Sequence, residues 1–290
     1  MTASKEPSAA FDETLGLLAS EVRIDILRAA WEAFPEPLPF SELRSRVGVR
    51  DSGTFNYHVD TLVPEFLRKT DGAYTLTYAG RQAIGAAVSG RFTEATDVDA
   101  GPVRAGECMH CEGEAVARYD DGIATVACAD CGELLAEMPL PPVAVEAIEP
   151  DRLPAVFSRH LLTRTRQLAR GFCTLCHGRL DATLTGLSEE ASATYRPVLD
   201  VRFECRECGV RTSLNVGAVL MDHPAVIAFL YDAGIDLRKT YVWEVLPVLD
   251  PGANVRSENP LRLELSICVD GETLTAVVDS SASVLEHTRN

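Results

Sequence analysis

Four Cys-x-x-Cys pairs punctuate the chain: Cys108/Cys111, Cys128/Cys131, Cys173/Cys176 and Cys205/Cys208. Sixteen residues separate the first two pairs and 28 the last two, spacings at which paired thiolates close a tetrahedral metal site. Each leading pair is followed by x-Gly (Gly113, Gly178) and each trailing pair directly by glycine (Gly132, Gly209). Glycine there relieves the turn, so that backbone N–H groups face the sulfurs. Two copies of one pattern make coincidence a poor explanation, and the second copy reads as a diverged duplicate. Four sulfurs leave no open position for a reacting water, so the pattern predicts two structural Zn2+ sites. A disulfide framework does not suit a cytoplasmic chain, and a redox pair needs no spaced partner. His110 and His177 adjoin ligands but face complete sets, so both are expected to be bystanders. Cys268, the ninth cysteine, shares a strand phase with Arg262, Glu264 and Ser266 and reads as a free thiol.

A second stretch carries a different chemistry. Residues 51–62, DSGTFNYHVDTL, place Phe55, Val59 and Leu62 on one helical face. Ser52, Thr54, Asn56, Tyr57 and His58 then fall beside or opposite it. Asparagine can pair with the adenine edge in a major groove, and hydroxyl side chains suit phosphates or thymine methyls. The bland alternative is an ordinary amphipathic helix with a solvated outer side.

The flanking elements decide which reading is better supported. A helix over ETLGLLASEVRIDILRAAWEAF places Leu15, Leu18, Val22, Leu27, Ala30 and Trp31 near helical spacing. A short helix, SELRSRVG, follows, with Ser41 as N-cap, Leu43 and Val47 inward and Gly48 as the stop. After the quoted helix, LRKTDGAYTLT predicts a tight hairpin around Asp71-Gly72, and YAGRQAIGAAVSG a closing helix. Arg50 at the helix start, and Arg68 and Lys69 on the hairpin, are placed to hold phosphates.

This order of elements, with the segments LASEVRIDILRAA, NYHVDTL and LTYAG, resembles the ArsR-type winged helix-turn-helix regulators, particularly their acidic halophilic-archaeal relatives. The resemblance covers about 80 residues. It implies double-stranded DNA as partner, read by Ser52, Thr54, Asn56, Tyr57 and His58 with Arg50, Arg68 and Lys69 on the backbone. It also implies a homodimer formed through the first and last helices of the unit. Val59 stands where the family carries leucine, and residues 40–62 lack the cysteines of the arsenic sensors, so that sensing mechanism is not expected.

The predicted fold class is α+β. It comprises a winged helix-turn-helix at 12–92, a linker at 93–107 and a first zinc ribbon at 108–140. An arginine-rich linking helix at 150–171 leads to a second zinc-ribbon module with C-terminal strands at 172–285. Asp-Gly pairs at 121–122 and 270–271 predict further hairpins, and Pro224 and Gly234 bracket a short helix. Residues 152–170 hold five arginines and no carboxylate. They are read as a helix neutralised by acidic surroundings, or as a second phosphate contact.

The net charge is −16, and only Lys5, Lys69 and Lys239 among 27 basic residues are lysines. Such a balance suits a solvent holding molar salt, where self-repulsion is screened within a few ångströms, and does not exclude DNA. No apolar run approaches the ~20 residues of a membrane span, and the first residues lack a secretory layout, so the cytoplasm is expected. No phosphate loop, HExxH or nucleophile motif suggests an enzyme. The leading expectation is a transcription regulator whose zinc modules form an effector or partner domain. The alternative is a zinc-ribbon adaptor of the transcription machinery, with a winged helix that binds protein.

Overall fold

A computed structural model describes residues 9–90, 100–186 and 199–290, a mixed α+β chain in two compact units. The N-terminal unit contains α1 (Ala9–Gly16), α2 (Glu21–Ala33), β1 (Leu38–Pro39), α3 (Phe40–Val47) and α4 (Ser52–Leu62). It ends with β2 (Leu67–Thr70), β3 (Ala73–Leu76) and α5 (Tyr78–Val88).

Each boundary has a local cause. The Asp51 carboxylate accepts the Thr54 N–H at 2.6 Å and so caps α4. Gly48 closes α3 in the left-handed region, its N–H returning to the Arg44 carbonyl. Asp71 and Gly72, with φ of 49° and 79°, make the β2–β3 turn, and β1 adds a third antiparallel strand in the order β1-β3-β2. Phe55, Val59 and Leu62 have no exposed surface and pack with Ile26, Leu27, Leu43 and Leu67. Burial of each such side chain contributes about 1.5–3 kcal/mol.

Three expectations change in this unit. The single first helix breaks over Leu17–Ser20, and α2 restarts after Ser20 in extended conformation. Its core side is Ile26, Leu27, Ala29 and Ala30, while Leu15 and Trp31 are exposed. The third change is at α3, which begins at Phe40 behind Pro39, so Ser41 lies inside the helix and is not its cap.

The C-terminal unit opens with the sheet β4 (Ala100–Glu107), β5 (Glu114–Asp120), β6 (Ile123–Cys128) and β7 (Leu134–Pro139), paired in chain order. The linker expected at 93–107 is therefore corrected for residues 100–107, where β4 pairs with β5; the rest of it lies outside the described residues. A single turn, α6 (Val143–Glu146), precedes α7 (Leu153–Ala169). Then come β8 (Leu180–Thr185), β9 (Asp200–Cys205), β10 (Arg211–Asn215), α8 (Val216–Leu220), α9 (Pro224–Asp232) and α10 (Leu246–Leu249). A meander of β11 (Gly252–Glu258), β12 (Leu261–Val269), β13 (Glu272–Asp279) and β14 (Val284–Arg289) ends the chain.

Two apolar cores meet along α7. Leu153 and Phe157 belong to the core of the first sheet with Tyr119, Val126 and Trp243. Leu162 and Leu168 belong to the core beneath the second sheet and the meander, and Leu161 packs against both. The Trp243 indole N–H donates to the Ala105 carbonyl at 2.8 Å, and the Val242 N–H donates to Ser158 Oγ at 3.0 Å. These bonds satisfy polar groups that would otherwise be buried unpaired. No helix among the described residues is long and apolar enough to cross a membrane.

Candidate metal centres and an exposed helix face

All eight paired cysteines converge into two groups of four sulfurs, each group within 4.8 Å. Cys108 and Cys131 approach to 3.8 Å and Cys111 and Cys128 to 3.5 Å; in the second group Cys173–Cys208 is 3.8 Å and Cys176–Cys205 is 3.4 Å. A tetrahedron with metal–sulfur bonds of about 2.3 Å has edges of about 3.8 Å, so both groups fit a single ion. No cysteine is in a disulfide.

The four knuckles share one backbone device. In each, the first cysteine's N–H bonds the carbonyl five residues on: Gly113, Glu133, Gly178 and Val210. The residue after the second cysteine returns its N–H to the first cysteine's carbonyl. That residue has a positive φ in all four cases: Glu112, Gly132, His177 and Gly209. Gly113 and Gly178 therefore serve a different end from the turn relief expected of them. A Cβ at Gly113 would lie 2.2 Å from Asp130, and one at Gly178 would lie 2.7 Å from Glu207. Both glycines admit the opposing knuckle.

The thiols are unequal. The N–H of Cys131 holds Cys128 down at about 7, helped by Asp130 N–H at 3.4 Å. Burial raises Cys205, but the N–H groups of Cys208 and Glu207 prevail and bring it to about 7. Gly113 N–H draws Cys111 down, yet the neighbouring sulfurs push it up to about 12. Cys176 is drawn down by Gly178 N–H and pushed to about 12 by burial and its three neighbours. In each cluster one thiol is thus lowered and a neighbouring one raised, as follows where closely packed sulfurs compete for one charge. No histidine joins either group; His177 Nδ1 instead lies 3.2 Å from Gln167 Nε2. Cys268 is exposed on β12, 3.4 Å from Thr273 Oγ1.

In the N-terminal unit, Ser52, Thr54, Asn56 and Tyr57 are exposed on α4, with Tyr57 65% accessible. His58 is half-buried edge-on to Tyr57, its Nδ1 lacking a partner. Arg50, Arg68 and Lys69 are exposed. Lys69 is raised above its usual pKa, first by its hydrogen bond to Tyr74 and, more weakly, by the charge of Asp60 on α4. The hairpin cation and the helix thus lie within electrostatic reach. Sequence reading missed that Asn56 Nδ2 donates to Asp60 at 2.6 Å, although their i,i+4 spacing carries the signal.

The arginines of α7 and its two caps are mostly committed. Arg170 donates to Asp222 from Nε at 2.7 Å and Nη2 at 3.1 Å, and Arg166 lies 3.5 Å from the same carboxylate. Arg164 donates to the Pro139 carbonyl and to Thr174. Arg152 and Arg159 are exposed.

The profile of a family described as a domain of unknown function (DUF7347) matches residues 11–87, within the N-terminal unit. No curated protein and no solved structure matches the chain. A second profile, also described as a domain of unknown function (DUF7351), matches residues 105–284, which takes in both four-cysteine groups, α7 and most of the meander. On that match over more than half its length, the chain belongs to the DUF7351 family.

Proposed function

We infer that the chain is a DNA-binding transcription regulator and not an enzyme. Its N-terminal unit is read as an ArsR-like winged helix-turn-helix, with α4 as recognition helix and β2–β3 as wing. One observation carries this reading. The outer face of α4 presents Ser52, Thr54, Asn56 and Tyr57 to solvent, while Phe55, Val59 and Leu62 behind it are fully buried. A helix so anchored offers a fixed row of small polar groups to a major groove about 12 Å wide. Arg50, Arg68 and Lys69 supply phosphate contacts around it. A homodimer through α1 and α5 is supported by exposed Leu15, Tyr78 and Val88 and by open space over Gly85.

In the C-terminal unit both four-sulfur groups take zinc as structural ions, because four thiolates at tetrahedral spacing suit it and close the site to water. This unit then serves as the effector or partner domain in a cytoplasmic regulator. Selection of duplexes from a random pool by the full chain, at molar salt, tests the reading. A defined motif of about ten base pairs or more supports it, and retention without sequence preference removes it. A protein-binding winged helix, the adaptor reading, draws on the Asn56–Asp60 bond, which sets a carboxylate beside the reading face.

A further inference from the structure

A groove of about 600 Å³ opens inside the C-terminal unit, between the end of α7, β8, the start of α9 and the β13–β14 turn. Leu168, Leu180 and Val284 are among its apolar lining residues, and Arg170, Asp222 and His223 among its polar ones, the wall being as polar as it is apolar. We propose that this groove binds a small carboxylate with an apolar body. The site concerns the C-terminal unit alone and stands independently of the DNA reading.

The charge balance sets the ligand's sign. Asp222, with its side chain only 13% exposed, is engaged by both Arg170 and Arg166, so the trio carries one net positive charge. Asp181, also in the wall, is held by Arg206. Of these charges Arg170, Asp181 and Asp222 line the groove, while Arg166 and Arg206 pair with the carboxylates from outside its lining. Both carboxylates are already paired, which leaves no demand for a cation, and Arg170, the one cation among the lining residues, suits an anionic group.

Donor chemistry agrees. Arg170 uses Nε and Nη2 on Asp222, and its guanidinium has five donors in all. His223 Nδ1 accepts the Ala225 N–H at 3.3 Å, so the proton of the neutral ring sits on Nε2 as a donor. Burial, and then His287, hold His223 below the usual histidine range and keep it neutral. The N-terminus of α9, which begins at Pro224, adds the positive end of its dipole. The volume lies within the roughly 300–1,000 Å³ of small-molecule sites, and a lining that mixes polar and apolar surface suits a ligand with a short hydrocarbon body beside its charged group.

Calorimetric titration of the full chain with hexanoate and with phenylacetate tests this, using hexan-1-ol and hexylamine as isosteres without the negative charge. Saturable one-to-one binding of at least one acid is expected, with both isosteres about tenfold weaker or worse. Ala182→Phe fills the groove without altering its charges and should abolish binding. Arg170→Gln should weaken it at least about tenfold. Should Arg170→Gln lower the melting temperature, the Ala182→Phe arm decides. Equal affinity for hexan-1-ol, undiminished binding in Ala182→Phe, or no saturable binding of either acid would overturn the proposal.

Discussion

Asn56 has two amide hydrogens, and one is committed to Asp60 at 2.6 Å. The second hydrogen and the carbonyl oxygen remain, which is what a bidentate pair with adenine requires. Asn56→Ala is expected to cost about 1–3 kcal/mol on the preferred duplex and little on random DNA. Lys69→Ala should weaken all duplexes alike and flatten the salt slope by about one unit. Fluorescence anisotropy over a salt series separates the two, and equal losses on both DNAs would make Asn56 a backbone contact. Asp51 concerns stability. The Thr54 side chain and N–H hold its carboxyl below the usual 3.8. A depressed folded value means that its contribution is present above 3.8 and is lost as pH falls through that lower value. Asp51→Asn keeps a capping oxygen but should flatten the acid limb of the stability profile; Asp51→Ala should lower the urea midpoint at neutral pH as well. An unchanged midpoint in the alanine variant would show that α4 does not depend on its cap.

Each four-sulfur group joins two knuckles at the end of an antiparallel pair, β5–β6 in the first and β8–β9 in the second. Strand pairing brings the knuckles together, while the ion fixes the four sulfurs of their turns, so its binding adds folding free energy there. The full chain should hold close to two zinc ions. Cys128→Ser should reduce this to one and expose amides of β5 and β6 to hydrogen exchange, leaving β8–β10 protected. Iron, or a folded sample lacking metal, would refute the assignment. The arginines of α7 divide into two sets. Reversing Arg166 and Arg170 to Glu sets three acidic groups together at Asp222 and should lower the melting temperature, most at low salt. Reversing the exposed Arg152 and Arg159 should change stability little. DNA affinity per folded molecule is expected to hold in both; a fall in the second pair would extend the phosphate contacts to α7.

The two profile matches, 11–87 and 105–284, fall one in each compact unit, apart from residues 141–143. Of the net charge, residues 1–95 hold 10 basic and 13 acidic groups, so most of the excess lies beyond them. Repulsion at low salt therefore acts chiefly on the C-terminal unit. Expressed separately, residues 1–95 should fold without metal, and residues 96–290 should bind two ions per chain and unfold when chelated. Circular dichroism with and without a chelator checks both. Metal-dependent folding of the N-terminal fragment would break the division.

Much of this was legible in the residues themselves, because short-range chemistry encodes it. Three Asp-Gly turns appear where the sequence places them, at 71–72, 121–122 and 270–271, since few other dipeptides accept two positive φ angles. The Phe55–Val59–Leu62 stripe and the two clusters of four cysteines follow from helical periodicity and ligand spacing in the same way. What the sequence left open depends on partners far along the chain. β4 is a strand because β5 pairs with it, although Gly101, Pro102 and Gly106 give it the composition of a linker. The break at Leu17–Ser20 and the pairing of β1 with β3 likewise answer to packing in the N-terminal unit. Asp222 gains two arginines from a helix some 50 residues earlier, and the groove beside it exists only where α7, β8, α9 and the last turn meet. No local pattern records such an encounter, because tertiary packing alone sets which distant side chains share a wall.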